Sequence, residues 1–86
     1  MEKSTFTREY TLLCKLLLEQ REAAGITQVE LAERLSETQS YVSKVERGER
    51  RLDLVQVAWF CKAIGIGLGD FVMRFEKQRS KRAFQN

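Results

Sequence analysis

The chain has 86 residues, a mass of 10.0 kDa and a formal net charge of +3, which allows one domain that buries roughly 64% of the unfolded chain's surface. Apolar residues make up 43% and charged residues 31%, the balance of a folded globular protein and not of a disordered tail. No apolar run approaches the roughly 20 residues of a membrane span, Met1-Glu2-Lys3-Ser4 lacks the apolar stretch of a signal peptide, and the expected compartment is the cytoplasm.

Apolar residues recur at helical spacing almost throughout, with no sustained period-two alternation. The first helix is expected from Arg8 to Ala24, with Tyr10, Leu13, Leu17 and Ala24 on its apolar stripe, and Gly25 to end it. Thr27-Gln28-Val29-Glu30 is a capping box, in which Thr27 accepts from the Glu30 backbone and Glu30 reaches back. It starts a two-turn helix from Gln28 to Leu35 with Val29, Leu31, Ala32 and Leu35 as its apolar set. Ser36-Glu37-Thr38 breaks the pattern, and Thr38 caps a third helix from Gln39 to Arg47 with Val42 and Val45 inward. Gly48 closes it, and the basic loop Glu49-Arg50-Arg51-Leu52 follows. Asp53 caps a fourth helix to Ile64-Gly65, with Leu54, Val57, Ala58, Cys61 and Ile64 as core stripe. A fifth, from about Leu68 to Arg79, presents Leu68, Phe71, Val72 and Phe75. The expectation is an all-α, five-helix domain over residues 1–80, with 81–86 as a frayed basic tail. There is no internal repeat and no linker.

The positive charge is local. Acidic and basic residues balance through residue 52, and Arg74, Lys77, Arg79, Lys81 and Arg82 stand against Glu76 alone. Overall charge is therefore a weak pointer to nucleic acid, and the tail reads equally as a solvated helix end or as an arm along a DNA backbone. Histidine is absent, which removes the commonest general base and metal ligand. Cys14 and Cys61 cannot close a zinc site unaided. They read as buried, reduced thiols, with a disulfide as the alternative. No catalytic constellation, cofactor or metal site is expected.

Two short helices joined by a three-residue turn, the second cap-started and polar on its outer face, form a helix-turn-helix pattern with its core at residues 27–47. The residues Gly25 to Leu35 (G-I-T-Q-V-E-L-A-E-R-L) and Thr38 to Arg51 (T-Q-S-Y-V-S-K-V-E-R-G-E-R-R) strongly resemble the Xre/Cro/lambda-repressor family. The resemblance extends from about residue 10 to 75 and implies a five-helix lambda-repressor-like fold that binds double-stranded DNA. It implies a transcriptional regulator, a repressor by preference, that grips a pseudo-palindromic operator as a homodimer. By that resemblance Gln39, Ser40, Ser43 and Lys44 contact bases. A Gln amide matches the adenine N6/N7 edge and a Lys the guanine O6/N7 pair. Gln28, Tyr41, Arg47, Arg50 and Arg51 contact the DNA backbone, and Arg21 with Glu46 forms a structural ion pair. Each has a plainer reading as a solvated side chain, and Tyr41 as an edge of the core.

Three residues depart from the family pattern. Ser36 stands where the turn usually has Gly, so a non-glycine residue is expected in the left-handed conformation at a cost of roughly 1 kcal/mol. Glu37 replaces an apolar residue, and Leu52 a proline. Val55, Trp59, Phe60, Val72 and Met73 fall off the assigned stripes in whole or part. They are expected to form an apolar dimer interface, the alternative being that the aromatics fill the core. A second functional class, a protein-interaction module such as an antitoxin with autoregulatory or no DNA binding, would turn the same patch to a protein partner.

Overall fold

A computed structural model describes residues 7–85, with side chains through residue 81. The signal-peptide reading of Met1–Ser4 and the last residue of the tail lie outside the described residues. Five α-helices and no strand are present among them: α1 Arg8–Ala23, α2 Gln28–Leu35, α3 Gln39–Glu46, α4 Leu54–Ile64 and α5 Leu68–Gln85. None is long and apolar enough to cross a membrane by itself.

The helix ends follow from local chemistry. Thr7, Thr27, Thr38 and Asp53 each accept, through a side-chain oxygen, the backbone N–H three residues on. In α2 and α4 the bond is reciprocated by Glu30 and Gln56, closing two capping boxes. Ser36 ends α2 in the left-handed region at φ 58°, ψ 41°, the only non-glycine residue with positive φ among those described. That geometry redirects the chain, so that α3 starts three residues later at a new angle to α2.

One core joins all five helices. Leu17, Leu31, Val42, Val45, Phe60, Cys61 and Phe71 are almost wholly buried, with Leu16, Ile26, Ala32, Leu52, Val57 and Ile64 around them. Each fully buried side chain of this kind contributes about 1.5–3 kcal/mol. Both cysteines are buried and reduced. No buried side-chain nitrogen or oxygen among the described residues lacks a partner.

The structure corrects several expected stripes. Ala24 caps α1 and is exposed; Cys14, Leu12 and Leu16 bury instead, with Leu13 half-buried. Val29, in the first turn of α2, is exposed. On α4 the inward stripe is Val57, Phe60, Cys61 and Ile64. It starts one turn later than expected, leaving Leu54 65% exposed and Ala58 half-buried at its flank. Phe60 is therefore not an interface residue: it is 2% exposed and its ring lies 6.1 Å from that of Tyr41. On α5 Val72 is exposed while Leu68 and Phe75 are half-buried. This helix passes the end expected near Arg79 and stays helical through Gln85, most of the segment expected to fray. No glycine or proline follows Gly69 to stop it. Arg79 anchors it to α1 through Glu9 at 3.3 Å, as does Arg74 through Gln20 at 2.9 Å.

Candidate nucleic-acid interface

The face of α3 opposite Val42 and Val45 is polar. Gln39, Ser43, Arg47, Ser40 and Lys44 follow one another across an arc of about 140° at 100° per residue. Gln39, Ser40, Lys44 and Arg47 are exposed and Ser43 is half-buried. The two valines, with none of their surface exposed, fix which way this face points.

A chain of hydrogen bonds runs from the interior to the start of that face. Arg21, 8% exposed on α1, donates Nη1 to the Ile26 carbonyl at 2.8 Å. Its Nε and Nη2 donate to Glu46 at 2.6 and 3.1 Å, a two-point ion pair. This contact is the largest reason the guanidinium holds its proton above the ordinary arginine range. Glu46 Oε1 also accepts from Gln28 Nε2 at 2.9 Å, and Gln28 Oε1 accepts from Gln39 Nε2 at 3.3 Å. The order is dictated from one end. A carboxylate only accepts, so Gln28 must turn its NH2 to Glu46 and its oxygen to Gln39. Gln39 is left with its own oxygen and one N–H side by side, facing out.

The basic loop is held by two tyrosines. Tyr10, buried on α1, accepts from the Leu52 N–H at 2.9 Å and donates to the Arg50 carbonyl at 3.0 Å. The guanidinium of Arg51 lies 4.4 Å from the centre of the same ring, and that of Arg50 lies 5.0 Å from the ring of Tyr41. Both are cation–π contacts. Burial raises the proton affinity of both phenols, so they stay neutral donors at ordinary pH. Sequence reasoning placed Tyr10 in the core stripe and missed this clamp. It also read Leu52 only as a missing proline, whereas its N–H, which a proline lacks, is the group that Tyr10 accepts from.

Arg47 has local partners. Its Nε and Nη2 donate to Glu49 at 2.9 and 3.1 Å, and Nη1 donates to the Ser43 hydroxyl. Glu49, not singled out in the sequence, is held below the usual carboxylate range chiefly by this bond. The apolar residues off the core stripes gather on α4 and α5: Leu54, Val55, Trp59, Val72 and Met73 are all exposed, Met73 by 71%. No group of His, Cys, Asp and Glu suited to hold a metal occurs among the described residues.

A helix-turn-helix family model matches residues 17–71. A solved XRE-family like protein from Pseudomonas syringae pv. tomato is 48% identical, with 81% of this chain and 85% of that chain covered and a TM-score of 0.76. This chain belongs to the XRE-like helix-turn-helix family. The chain is also similar to the clp gene regulator ClgR of Corynebacterium glutamicum, at 26% identity and TM-score 0.78 over 92% of this chain and 84% of that one. The restriction-modification controller protein C.Esp1396I, solved as a tetramer with its natural 35 base-pair operator, shares the fold. Its TM-score is 0.76 at 21% identity, over 83% of this chain and 93% of that one. No curated protein matches the chain in sequence. As an XRE-like domain the chain is placed among DNA-binding transcription regulators, with α2 and α3 as its helix-turn-helix.

Proposed function

We propose that this protein reads a specific duplex DNA sequence as a homodimeric transcriptional repressor, with α3 in the major groove. The observation that carries the reading is the exposed polar face of α3 with Gln39 held at its start by Gln28. The acceptor and donor left on Gln39 match the N6 and N7 edge of adenine. Ser40, Ser43 and Lys44 are the other base-reading groups, Lys44 toward guanine. Gln28, at the N-terminus of α2, offers a phosphate contact where backbone N–H groups are also free. Arg50 and Arg51 supply the electrostatic grip, with Tyr41 as the platform for Arg50.

The apolar side chains exposed on α4 and α5, Val55, Trp59, Val72 and Met73, support self-association, which would bring two copies of α3 to major grooves about 34 Å apart on one side of the duplex. C.Esp1396I, a protein of this fold, was solved as a tetramer with its natural 35 base-pair operator, which supports an oligomer as the DNA-binding form. The regulator ClgR supports a transcriptional role. The same apolar side chains also suit a different protein, the antitoxin-like alternative, and sedimentation of the purified chain separates the two.

Selection from a randomised duplex library at physiological salt tests the proposal. The expected result is a two-fold symmetric consensus with half-sites about one turn apart. In it Gln39→Ala relaxes one position per half-site, and Arg50→Ala weakens all sequences and flattens the salt slope by roughly 1.8, about 0.9 per subunit of the dimer. Binding without a consensus, or none, overturns it in favour of the protein-interaction reading.

A further inference from the structure

We propose that Arg47 and Glu49 are positioning residues that bias the Ser43 hydroxyl toward donating its hydrogen bond and so restrict the bases it reads. The inference rests on the DNA-binding reading above. It replaces the phosphate contact that the sequence suggested for Arg47.

The geometry is built by Gly48, whose φ of +80° turns the chain back over the end of α3. Gly48 N–H donates to the Val45 carbonyl at 3.0 Å and Glu49 N–H to the Lys44 carbonyl at 2.8 Å, which locks the turn. The Glu49 carboxylate is thereby brought beside Arg47. It takes two guanidinium N–H groups in parallel, at 2.9 and 3.1 Å, the fork arrangement that fixes the plane of an arginine head. The remaining edge of that plane, Nη1, points at the Ser43 oxygen one helical turn earlier.

A serine hydroxyl has one donor and two acceptor sites, whereas guanidinium has no acceptor. With an N–H directed at its oxygen, Ser43 cannot spend its proton on Arg47 and has one of its two acceptor sites filled, which shifts what it offers the reading face from accepting toward donating. A donor there matches guanine O6 and N7, adenine N7 and thymine O4, whereas the exocyclic amines of cytosine and adenine are left a single acceptor site to compete for. The pair has no comparable role in stability, since both side chains are about half exposed and such pairs are worth little. Nor is it a strong phosphate anchor, because the charge of Arg47 is already matched by Glu49.

The test uses the full chain with the operator that the wild type selects, and measures base preference at each position and affinity across salt concentrations. The wild type should prefer acceptor-bearing bases roughly fivefold at one position per half-site, the worth of one net hydrogen bond. Arg47→Ala and Ser43→Ala should each abolish that preference, the double variant should lose no more than either, and the salt slope should stay unchanged. Arg47→Lys, which keeps the charge without the fork, should lose the preference as well. A preference that survives Arg47→Ala overturns the proposal. So does a slope flattened by about 1.8 in that variant, about 0.9 per subunit, which would make Arg47 a phosphate contact. If the wild type selects no consensus, the DNA reading fails first and this inference with it.

Discussion

Removing Glu46 tests the chain of polar contacts that links the core to α3. In Glu46→Ala, Arg21 loses two of its three described acceptors and Gln28 loses one. The guanidinium stays where it was, 8% exposed, facing only the Ile26 carbonyl. A buried ion pair broken on one side costs about 3–5 kcal/mol, because the surviving charge is desolvated without compensation. For a chain of this length the unfolding entropy is about 0.18 kcal/mol/K, so even a 3 kcal/mol loss lowers Tm by about 17 °C. Urea and thermal unfolding followed by circular dichroism measure it. Arg21→Met combined with Glu46→Leu should restore most of the loss, since an apolar pair carries no desolvation cost. It should remain about 1 kcal/mol short for the unpaired Ile26 carbonyl. If Glu46→Ala loses less than about 1 kcal/mol, the pair behaves as an exposed one and the order imposed on Gln28 and Gln39 has no such foundation.

Tyr10→Phe keeps the ring under Arg51 but strips the buried Leu52 N–H of its acceptor, for an expected loss of about 1–3 kcal/mol in urea unfolding. Phe60→Ala should cost about 3–5 kcal/mol with sedimentation unchanged in kind, while Trp59→Ala should leave the fold intact and shift the protein to monomer; the reverse pattern would return Phe60 to the interface. The thiol of Cys61, pushed up to about 11 by burial, holds its proton in the folded chain where an unfolded thiol near 8.5 has lost it. The contribution is whole below about pH 8.5 and falls as pH rises toward 11, so over that window stability should drop more steeply in the wild type than in Cys61→Ala. Equal slopes in the two proteins would mean that the buried thiol is not what titrates.

The helix boundaries, the far end of α5 apart, were legible because their causes are local. A Thr with Glu three residues on, an Asp with Gln three residues on, or a glycine after the last apolar residue needs nothing from the rest of the chain. Orientation is not local, and α4 shows why. Between Leu54 and Ile64 only Gln56 and Lys62 are polar, so a stripe starting at Leu54 and one starting at Val57 fit the same periodicity. Contact with the other helices decides between them, turning Phe60 inward toward Tyr41 and Leu54 outward. The same limit hid the Tyr10 clamp, whose bonds to Arg50 and Leu52 span 40 and 42 residues. It also explains how Leu52 departs from the family pattern without loosening the loop. A proline would restrict the backbone by its ring, whereas here a hydrogen bond from a distant tyrosine does so. In Ser36 the departure is borne by the backbone itself, which takes the left-handed geometry of the glycine it replaces. The proposed recognition surface thus depends on two kinds of information. Its residue types, Gln28 apart, are written in the short run from Gln39 to Arg51. The amide order of Gln39 traces back through Gln28 and Glu46 to Arg21, and the course of the Arg50–Leu52 backbone to Tyr10, both on a helix that carries none of the residues proposed to contact DNA.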